Sequence, residues 1–404
     1  MYNLASLSSS KNILLLQSPI GSFFYQLGKW LSKEGSCSVY KLNFNAGDRY
    51  FYPSNTPNTF DYTASKQEFC SFLANFVEKY QIQAIVCFGD TRPYHRIAKQ
   101  FCLDNPNVQF WAFEEGYFRP DYITLGKDGV NDFSTLPRNA DFFLAEAKKL
   151  PEPIPPKPLA SGFLPMAKLA TKYYLYANWH KKDYPNYEHH RRLDISYYVK
   201  LWLKSGLKRV YYYLRDRRFG KKVEQGKLDD FFIVPLQVYD DSQVKYHCDY
   251  PDVSAFLAEV LESFANFAPK NMNLIVKHHP MDRGFLDYGS VIEQYKKQYP
   301  NLAQRVYYIH DVPMPIFLRR AKGMVTLNST SGISGLLHNI PVITLGRANY
   351  DFPGMTYQGD LNDFWCNTTP PNKEVFDAYR KFHLNVTHIN GSYYNKVIWP
   401  DIKD

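Results

Sequence analysis

The sequence lacks both a membrane-spanning run and a cysteine framework. Its most apolar stretches, such as residues 12–16 and 84–88, have the length of strands, whereas crossing a bilayer takes about 20 consecutive apolar residues. The N-terminus has a lysine only at Lys11 and no small-residue cleavage site behind an apolar core, so it is a poor signal peptide. The six scattered cysteines form no C-x-x-C pair. These absences predict a cytoplasmic chain with reduced thiols and no zinc site.

Two nucleotide-binding signatures are absent as well. No G-x-x-x-x-G-K-[ST] pattern occurs, which removes the main support for an ATPase or a kinase. No D-x-D motif stands at a predicted strand end, where it would clamp a metal–nucleotide pair. We therefore expect neither a metal ion nor another cofactor.

Apolar strand-like runs alternate with amphipathic stretches in two blocks, residues 1–150 and 229–404. This alternation is typical of βαβ units and predicts two Rossmann-like domains facing a cleft, the α/β architecture of GT-B-like glycosyltransferases. Periplasmic-binding-like and two-domain kinase folds give the same coarse pattern. Five prolines between Pro151 and Pro158 mark the boundary. The predicted domains are 1–150, a linker and helical insert at 151–228, and 229–404, and the last helix is expected to be able to pack back on the first domain.

The insert is strongly basic and rich in aromatic residues. Residues 165–222 hold fifteen Lys or Arg and four acids, a net charge of +11, so the rest of the chain carries about −2 of the total of +9. Cations attract anionic headgroups, and Tyr and Trp favour the membrane interface. We therefore predict docking on an anionic membrane through a basic set of six residues: Lys204, Lys208, Arg209, Arg215, Arg217 and Arg218. A core-packed helical insert and a nucleic-acid surface are the alternatives, although no RNA- or DNA-binding motif accompanies the charge.

Two motifs suit the phosphate of a nucleotide. Lys277, His278, His279 and Pro280 close a predicted strand, where cations can stabilise a leaving phosphate. A hydroxyl loop, Ser329 to Ser331 followed by Gly332, opens a predicted helix, whose first N–H groups can bind an anion without metal. The alternatives are a structural His-Pro turn for the first motif and a simple helix cap for the second.

Acidic pairs follow two other predicted strands. Glu114 and Glu115 precede a glycine, with Asp90 and Arg92 upstream, and Asp240 and Asp241 follow the first strand of the second block. Carboxylates at strand ends can serve general acid–base or nucleophilic chemistry, although a solvated surface pair is the default for each.

Taken in order, the motifs resemble those of the KpsS/LipB capsule polysaccharide transferases over nearly the whole chain. They are QSPIGSFF (17–24), FNAGDRY (44–50), CFGDTRP (87–93), FEEGYFRPDYIT (113–124), GVN (129–131), LPR (136–138), LQVYDDSQ (236–243), VKHHPMDRG (276–284), HDVPMP (310–315), NSTSGISGLLHN (328–339) and TYQGDL (356–361). The resemblance implies a retaining β-Kdo transferase that uses CMP-β-Kdo. Its expected acceptor is phosphatidylglycerol or lysophosphatidylglycerol, at the inner face of the inner membrane of Gram-negative bacteria with group 2-type capsules. A KpsC-type transferase and the capsule export complex are the implied partners.

The resemblance also assigns roles to the domains and to residues. Residues 1–150 would form the acceptor-side domain, and residues 229–404 would bind the CMP-sugar. His279-Pro280 and the Ser329-Thr330-Ser331 motif would hold CMP, and Asp241, with Asp240 as competitor, would form an enzyme-linked Kdo. Glu114 matches a related acidic position. Arg119 is a candidate for the Kdo carboxylate by charge alone, and Gln17, Asp90, Arg92 and Asn131 are candidates for the acceptor side. Another nucleotide-sugar or phosphate transferase of capsule assembly and a non-catalytic lipid-binding assembly protein stay open as alternatives.

Overall fold

The computed structural model describes residues 2–159, 162–189 and 195–400 of the 404-residue chain. The chain divides into two compact units. Unit 1 comprises Met1–Leu136, Leu150–Ile195 and Lys381–Asp404, and unit 2 comprises Pro137–Lys149 and Ser196–Arg380. Each unit is described by itself below.

Unit 1 contains a seven-stranded sheet in the order β12-β6-β5-β4-β1-β2-β3. The strands are β1 Asn12–Leu15, β2 Ser38–Asn43, β3 Thr59–Asp61, β4 Ala84–Phe88, β5 Gln109–Glu115, β6 Tyr122–Lys127 and β12 His388–Asn390. The helices are α1 Tyr2–Ser8, α2 Phe23–Glu34, α3 Ala46–Phe51, α4 Phe69–Tyr80, α5 Pro93–Asp104 and α7 Phe163–Trp179. β1 to β5 pair in parallel, whereas β6 pairs antiparallel with both β5 and β12.

The central strands of unit 1 are apolar on both faces because helices cover both sides of the sheet. Along β1, Ile13 and Leu15 pack into one buried cluster with α2, and Leu14 packs into a second cluster with α4 and α5. This arrangement explains the continuous apolar run in the sequence.

Unit 2 contains a five-stranded sheet in the order β11-β10-β7-β8-β9, with every pairing parallel. Its strands are β7 Phe231–Pro235, β8 Asn273–Lys277, β9 Val306–Ile309, β10 Gly323–Thr326 and β11 Val342–Thr344. Its helices are α6 Ala140–Lys149, α8 Ile195–Glu224, α9 Ser242–Tyr246, α10 Val253–Phe267, α11 Gly289–Gln298, α12 Met314–Leu318, α13 Ser331–Leu337 and α14 Leu361–Phe364. α15, Lys373–Val386, begins in unit 2 and ends in unit 1.

The predicted α/β class is confirmed. The chain contains two Rossmann-like sheets, as GT-B-like enzymes do. The proline run at residues 151–158 has no helix or strand. The segment 151–228 forms no unit of its own, since α7 belongs to unit 1 and α8 to unit 2. No helix in the described part of the chain combines the length and apolar content needed to cross a bilayer.

Candidate active site

Three of the predicted motifs follow strands at the carboxyl edge of the unit 2 sheet. β7 leads to the aspartate pair, β8 to the Lys-His-His-Pro motif and β10 to the hydroxyl loop. Gln237 and Asn328 join the first and last of these strand ends. Nε2 of Gln237 donates to Oδ1 of Asn328 at 3.0 Å, and the backbone N–H of Asn328 donates to Oε1 of Gln237 at 3.4 Å. Because both side chains are buried, these hydrogen bonds fix the ends of β7 and β10 to each other. The aspartate pair and the hydroxyl loop follow those two ends.

The two aspartates after β7 have different surroundings. Asp241 is the N-cap of α9, and its Oδ1 accepts a hydrogen bond from the backbone N–H of Gln243 at 3.0 Å. Asp240 forms an ion pair with the exposed Lys245, a type of pair worth about 0–1 kcal/mol. The cap fixes Asp241 against the backbone, so its carboxylate has the better defined position of the two.

The hydroxyl loop after β10 is half-buried and stabilises its own turn. Oγ of Ser329 accepts from the backbone N–H of Ser331 at 3.1 Å, whereas Thr330, the N-cap of the seven-residue α13, makes no side-chain cap bond. A Cβ at Gly332 would lie 2.3 Å from the hydroxyl oxygen of Tyr350. Gly332 therefore permits the close approach of α13 to Tyr350, and the hydroxyls remain the groups suited to a ligand.

Lys277 lies inside the edge of the sheet. Its Nζ donates to the carbonyl oxygens of His310 at 2.7 Å and His278 at 3.2 Å, and only 5% of the residue is exposed. Burial lowers the pKa of this ammonium to about 8. In this structure its contacts tie the end of β8 to the end of β9, and the predicted role at a phosphate stays a prediction.

The two histidines of the same motif differ in burial. His278 is fully buried, shares a 2.7 Å hydrogen bond with the hydroxyl of Tyr308, and has its pKa lowered to about 3 by burial. His279 is half-buried, and its Nδ1 accepts from the backbone N–H of Met281 at 3.2 Å. Pro280 opens the 3-10 turn that follows. Of the pair, only His279 presents surface to a ligand, and His278 is part of the core.

Asp282 is a buried carboxyl that the sequence analysis did not single out. Its Oδ2 accepts from the backbone N–H of Tyr239 at 3.3 Å and from the hydroxyl of Tyr288 at 3.4 Å. Burial raises the pKa of Asp282 to about 6. The residue links the loop after β8 to the loop that carries the aspartate pair. In the sequence, its position within the motif VKHHPMDRG is the signal that could have identified it.

In unit 1, Glu114 and Glu115 are the last two residues of β5. They pair with Thr124 and Ile123 of the antiparallel β6, so the acidic pair, predicted to follow a strand, is corrected to the end of the strand itself, with bends at Tyr117 and Phe118 after it. Their side chains consequently alternate across the sheet.

Glu114 is positioned by two hydrogen bonds and a backbone contact. Its Oε1 accepts from the backbone N–H of Glu115 at 2.9 Å, and its Oε2 accepts from Nδ2 of Asn131 at 3.4 Å. The hydroxyl of Tyr393 donates to the Glu114 carbonyl at 2.7 Å. Burial, the largest cause, raises the pKa of the Glu114 carboxyl to about 7. A carboxyl that titrates near neutrality suits general acid–base chemistry.

The other predicted residues of unit 1 have defined partners. Oδ2 of the buried Asp90 accepts from Nζ of Lys99 and from the backbone N–H of Val130, each at 3.2 Å. Arg92 donates to the carbonyl of Ser18 at 3.2 Å. Arg119 is exposed, and its Nε donates to the carbonyl of Gly116 at 3.2 Å. The structure therefore places Asp90 and Asn131 on adjoining segments beside Glu114.

Gln17 belongs to a buried network that attaches the segment after β1 to the insert. Its Nε2 donates to the hydroxyl of Tyr187 at 2.7 Å and to Oδ2 of Asp48 at 3.2 Å. Asp48 also accepts from the hydroxyl of Tyr173, on α7, at 3.2 Å. Because only 2% of its surface is exposed, Gln17 has a structural role in this network. Its predicted role at the acceptor stays a prediction.

A histidine near the C-terminus supports the turn after Glu115. The backbone N–H of Tyr117 donates to Nε2 of His388 at 3.1 Å, and burial lowers the His388 pKa to about 3. A neutral ring that accepts at Nε2 carries its proton on Nδ1, which donates to Oγ1 of Thr387 at 2.9 Å. Since His388 is 271 residues from Tyr117, no local pattern in the sequence signals this contact.

The predicted basic set lies along α8 with mixed exposure. Lys204, Arg209, Arg217 and Arg218 are exposed. Lys208 is half-buried with Nζ 3.9 Å from Asp287, and Arg215 donates to the carbonyl of Tyr308 at 2.9 Å. Within residues 2–159, 162–189 and 195–400, no cluster of three or more His, Cys, Asp or Glu is arranged to hold a metal ion.

Comparisons with known proteins give consistent relationships. Residues 83–394 match the family described as capsule polysaccharide biosynthesis protein. The chain is 55% identical over 399 residues to the capsule polysaccharide modification protein LipB of Neisseria meningitidis serogroup B, covering 98% of this chain and 95% of LipB. It is 38% identical over 396 residues to the capsule polysaccharide export protein KpsS of Escherichia coli, covering 97% and 99%.

Among solved structures, the beta Kdo 2,7 transferase of Thermosulfurimonas dismutans KpsC aligns with 96% of this chain and 95% of its own. The TM-score is 0.45 and the sequence identity is 14%.

Proposed function

The chain belongs to the capsule polysaccharide biosynthesis protein family, in its KpsS/LipB branch, and from this premise we propose that it is a retaining β-Kdo transferase. It transfers Kdo from CMP-β-Kdo to phosphatidylglycerol or lysophosphatidylglycerol and so begins the linker of a capsular polysaccharide. The observation that carries the proposal is the bonding of Gln237 to Asn328, which puts the aspartate pair and the hydroxyl loop on two joined strand ends.

The donor phosphate is assigned to the hydroxyl loop and His279. Ser329, Thr330 and Ser331 are half-buried hydroxyls, and His279 is the histidine of its motif with exposed surface. Hydrogen bonds from these groups to the phosphate stabilise the charge that builds on CMP as it leaves. Lys277 supports them by fixing the ends of β8 and β9.

Asp241 is assigned as the nucleophile. The Kdo reaction centre already carries a carboxylate, which partly compensates the charge of an oxocarbenium-like state, so a second carboxylate can trap the carbon. The carboxylate oxygen bonds to that carbon as the bond to CMP breaks, and the acceptor hydroxyl then displaces the aspartate. Because each of the two displacements inverts the configuration at this carbon, the two together retain it. The N-cap bond to Gln243 holds the carboxylate in place during both steps.

Glu114 is assigned as the general base for the acceptor hydroxyl. Its pKa, raised to about 7, lets the carboxylate accept a proton at neutral pH and release it after turnover. Asn131 and the backbone of Glu115 hold its two oxygens.

An anionic lipid acceptor requires an enzyme that works at the membrane, and the exposed cations of α8 support this location. We assign the protein to the inner face of the inner membrane, with a KpsC-type transferase acting on its product. Attraction to headgroups is screened over about 8–10 Å at physiological salt, so this contribution is salt-dependent.

The test is a transfer assay with the full chain, CMP-Kdo and fluorescent phosphatidylglycerol or lysophosphatidylglycerol, followed by mass analysis. Product heavier by one or more Kdo units is expected. Phosphatidylcholine as acceptor and another acidic CMP-sugar as donor are the matched controls. Product from the other donor alone would assign a different capsule transferase, and lipid binding without any product would assign a non-catalytic assembly protein.

A further inference from the structure

The long helix α8 has two faces of different character. Leu203, Leu207, Val210 and Leu214 recur at spacings of four, three and four residues, so they form one stripe along the helix. Each is between 56% and 77% exposed. With a rise of 1.5 Å per residue, the stripe runs for about 16 Å. This outer stripe, defined by these four residues, is a continuous aliphatic surface open to solvent.

The inner face of α8 is bound to the carboxyl edge of the unit 2 sheet. Tyr212 stacks on His310 with ring centroids 3.6 Å apart, and its hydroxyl donates to Oδ2 of Asp287 at 3.1 Å. The buried Asp216 accepts from the backbone N–H groups of His310 at 2.7 Å and Asp311 at 3.1 Å. Nine residues separate Leu203 from Tyr212, or about 2.5 turns, which places them on opposite sides of the helix.

α8 also packs closely on the segment that follows the Lys-His-His-Pro motif, at Gly284. A Cβ added at Gly284 would lie 2.7 Å from a methyl carbon of Leu201 and 2.8 Å from its carbonyl oxygen. Gly284 therefore has no room for a side chain because the helix occupies that space. The helix is fixed to this segment and to the end of β9, whereas its outer stripe faces solvent.

The charge around the outer stripe indicates what covers it. Between residues 195 and 224 the only acids are Asp216, which is buried, and Glu224 at the end of the helix. The exposed charges flanking the stripe are therefore cations, including Lys204, Arg217 and Arg218. Tyr211 and Tyr213 are exposed beside it. Aliphatic residues bordered by cations and tyrosines match the layered chemistry of an anionic bilayer surface.

We propose that α8 is an in-plane membrane anchor whose outer stripe inserts at the boundary between the headgroups and acyl chains of an anionic bilayer. This inference rests on the proposed function, because a lipid acceptor is what gives the anchor its purpose. It adds apolar insertion to electrostatic attraction. Because Tyr212 and Asp216 attach the same helix to the β8 and β9 loops, insertion holds those loops at a fixed depth from the lipid surface.

The test compares two matched double variants of the full chain, the stripe pair and the control pair. The stripe pair, Leu203→Gln with Leu207→Gln, removes two members of the outer stripe while keeping good helix formers. The control pair, Leu103→Gln with Phe267→Gln, removes exposed apolar residues elsewhere, on α5 and α10. Flotation with phosphatidylglycerol vesicles should show at least a tenfold loss of partitioning for the stripe pair and no loss for the control pair.

Salt separates the two contributions to binding. Apolar insertion is not screened, so the wild-type chain should keep measurable binding to phosphatidylglycerol vesicles at high salt, and the stripe pair should lose it. Equal partitioning of the stripe pair and the wild type would overturn the proposal.

The other occupant to test is a second copy of this chain. Light scattering without lipid should give the same mass for the wild type and the stripe pair; a dimer that dissociates only in the stripe pair would overturn the lipid assignment. Transfer to a short soluble acceptor should persist in both pairs. Failure of the soluble reaction in the wild type would instead refute the proposed function while leaving vesicle binding interpretable.

Discussion

Replacing Asp241 by asparagine separates its proposed chemistry from its structural contact. The carboxylate has a defined structural task, since its Oδ1 caps α9 through the N–H of Gln243. An asparagine side chain keeps that acceptor and caps helices as well as aspartate does. The variant should therefore fold with unchanged stability and still bind CMP, while losing the oxygen nucleophile.

The expected magnitudes differ for the three informative variants. Asp241→Asn should lower transfer at least about 1,000-fold, which corresponds to about 4 kcal/mol of transition-state stabilisation. Asp241→Ala should lose the same activity and also about 1 kcal/mol of stability, because the cap is removed. Asp240→Asn removes an exposed ion pair with Lys245, worth about 0–1 kcal/mol, and should keep most of its activity.

The assay combines transfer rates, CMP affinity and thermal unfolding with mass spectrometry of enzyme incubated with donor alone. A Kdo-sized adduct on the peptide after β7 is expected for the wild type and absent from Asp241→Asn. Normal turnover by Asp241→Asn would refute the assignment. Loss of activity in Asp240→Asn with retention in Asp241→Asn would move the nucleophile to its neighbour.

Four further predictions address other parts of the molecule. Because the base must be deprotonated, kcat/KM should rise with pH through about 7 in the wild type, and Glu114→Gln should abolish this limb; an unchanged profile would exclude Glu114. EDTA should leave transfer intact, and Ser329→Ala with Thr330→Ala should weaken CMP binding in calorimetry; a strict metal requirement or unaltered affinity would contradict this. Glutamine at all six positions of the basic set should release the chain from phosphatidylglycerol vesicles, whereas changing only Lys208 and Arg215, which contact unit 2, should have the smaller effect. Burial lowers the pKa of His278 and His388 to about 3, so between pH 3 and pH 6.5 each histidine binds a proton mainly in the unfolded chain. The free energy of unfolding should therefore fall below pH 6.5, by roughly 2 kcal/mol per histidine at pH 5, as measured by chemical denaturation.

The strands and the places of the motifs were predictable because both have local causes. A central parallel strand buries both faces, so β1 and β8 read as short apolar runs bounded by polar residues. Polar motifs that follow such runs fall at the carboxyl edge of a parallel sheet. The aspartate pair and the hydroxyl loop were located in this way, and Gln237 with Asn328 provides the physical link.

Side-chain directions at those edges were not predictable, because they depend on partners distant in the chain. Lys277 turns to the carbonyl of His310, 33 residues away, and His278 packs against Tyr308. Glu114 lies within β5 because β6 returns antiparallel and extends the ladder. None of these contacts has a signal within the motif itself.

The charge of the insert shows why a net value cannot identify a surface. Counting charges over residues 165–222 combines cations that face water with cations that bind their own unit, such as Arg215 at the carbonyl of Tyr308. The count also sets Asp216 against them, although this acid is buried and accepts from the backbone of His310 and Asp311. If Arg215 and Asp216 are left out of the count, the charges beside the outer stripe on the exposed side of α8 are cations. A surface of that composition favours anionic lipid over water alone, since the headgroups satisfy the cations while the acyl boundary receives the leucines.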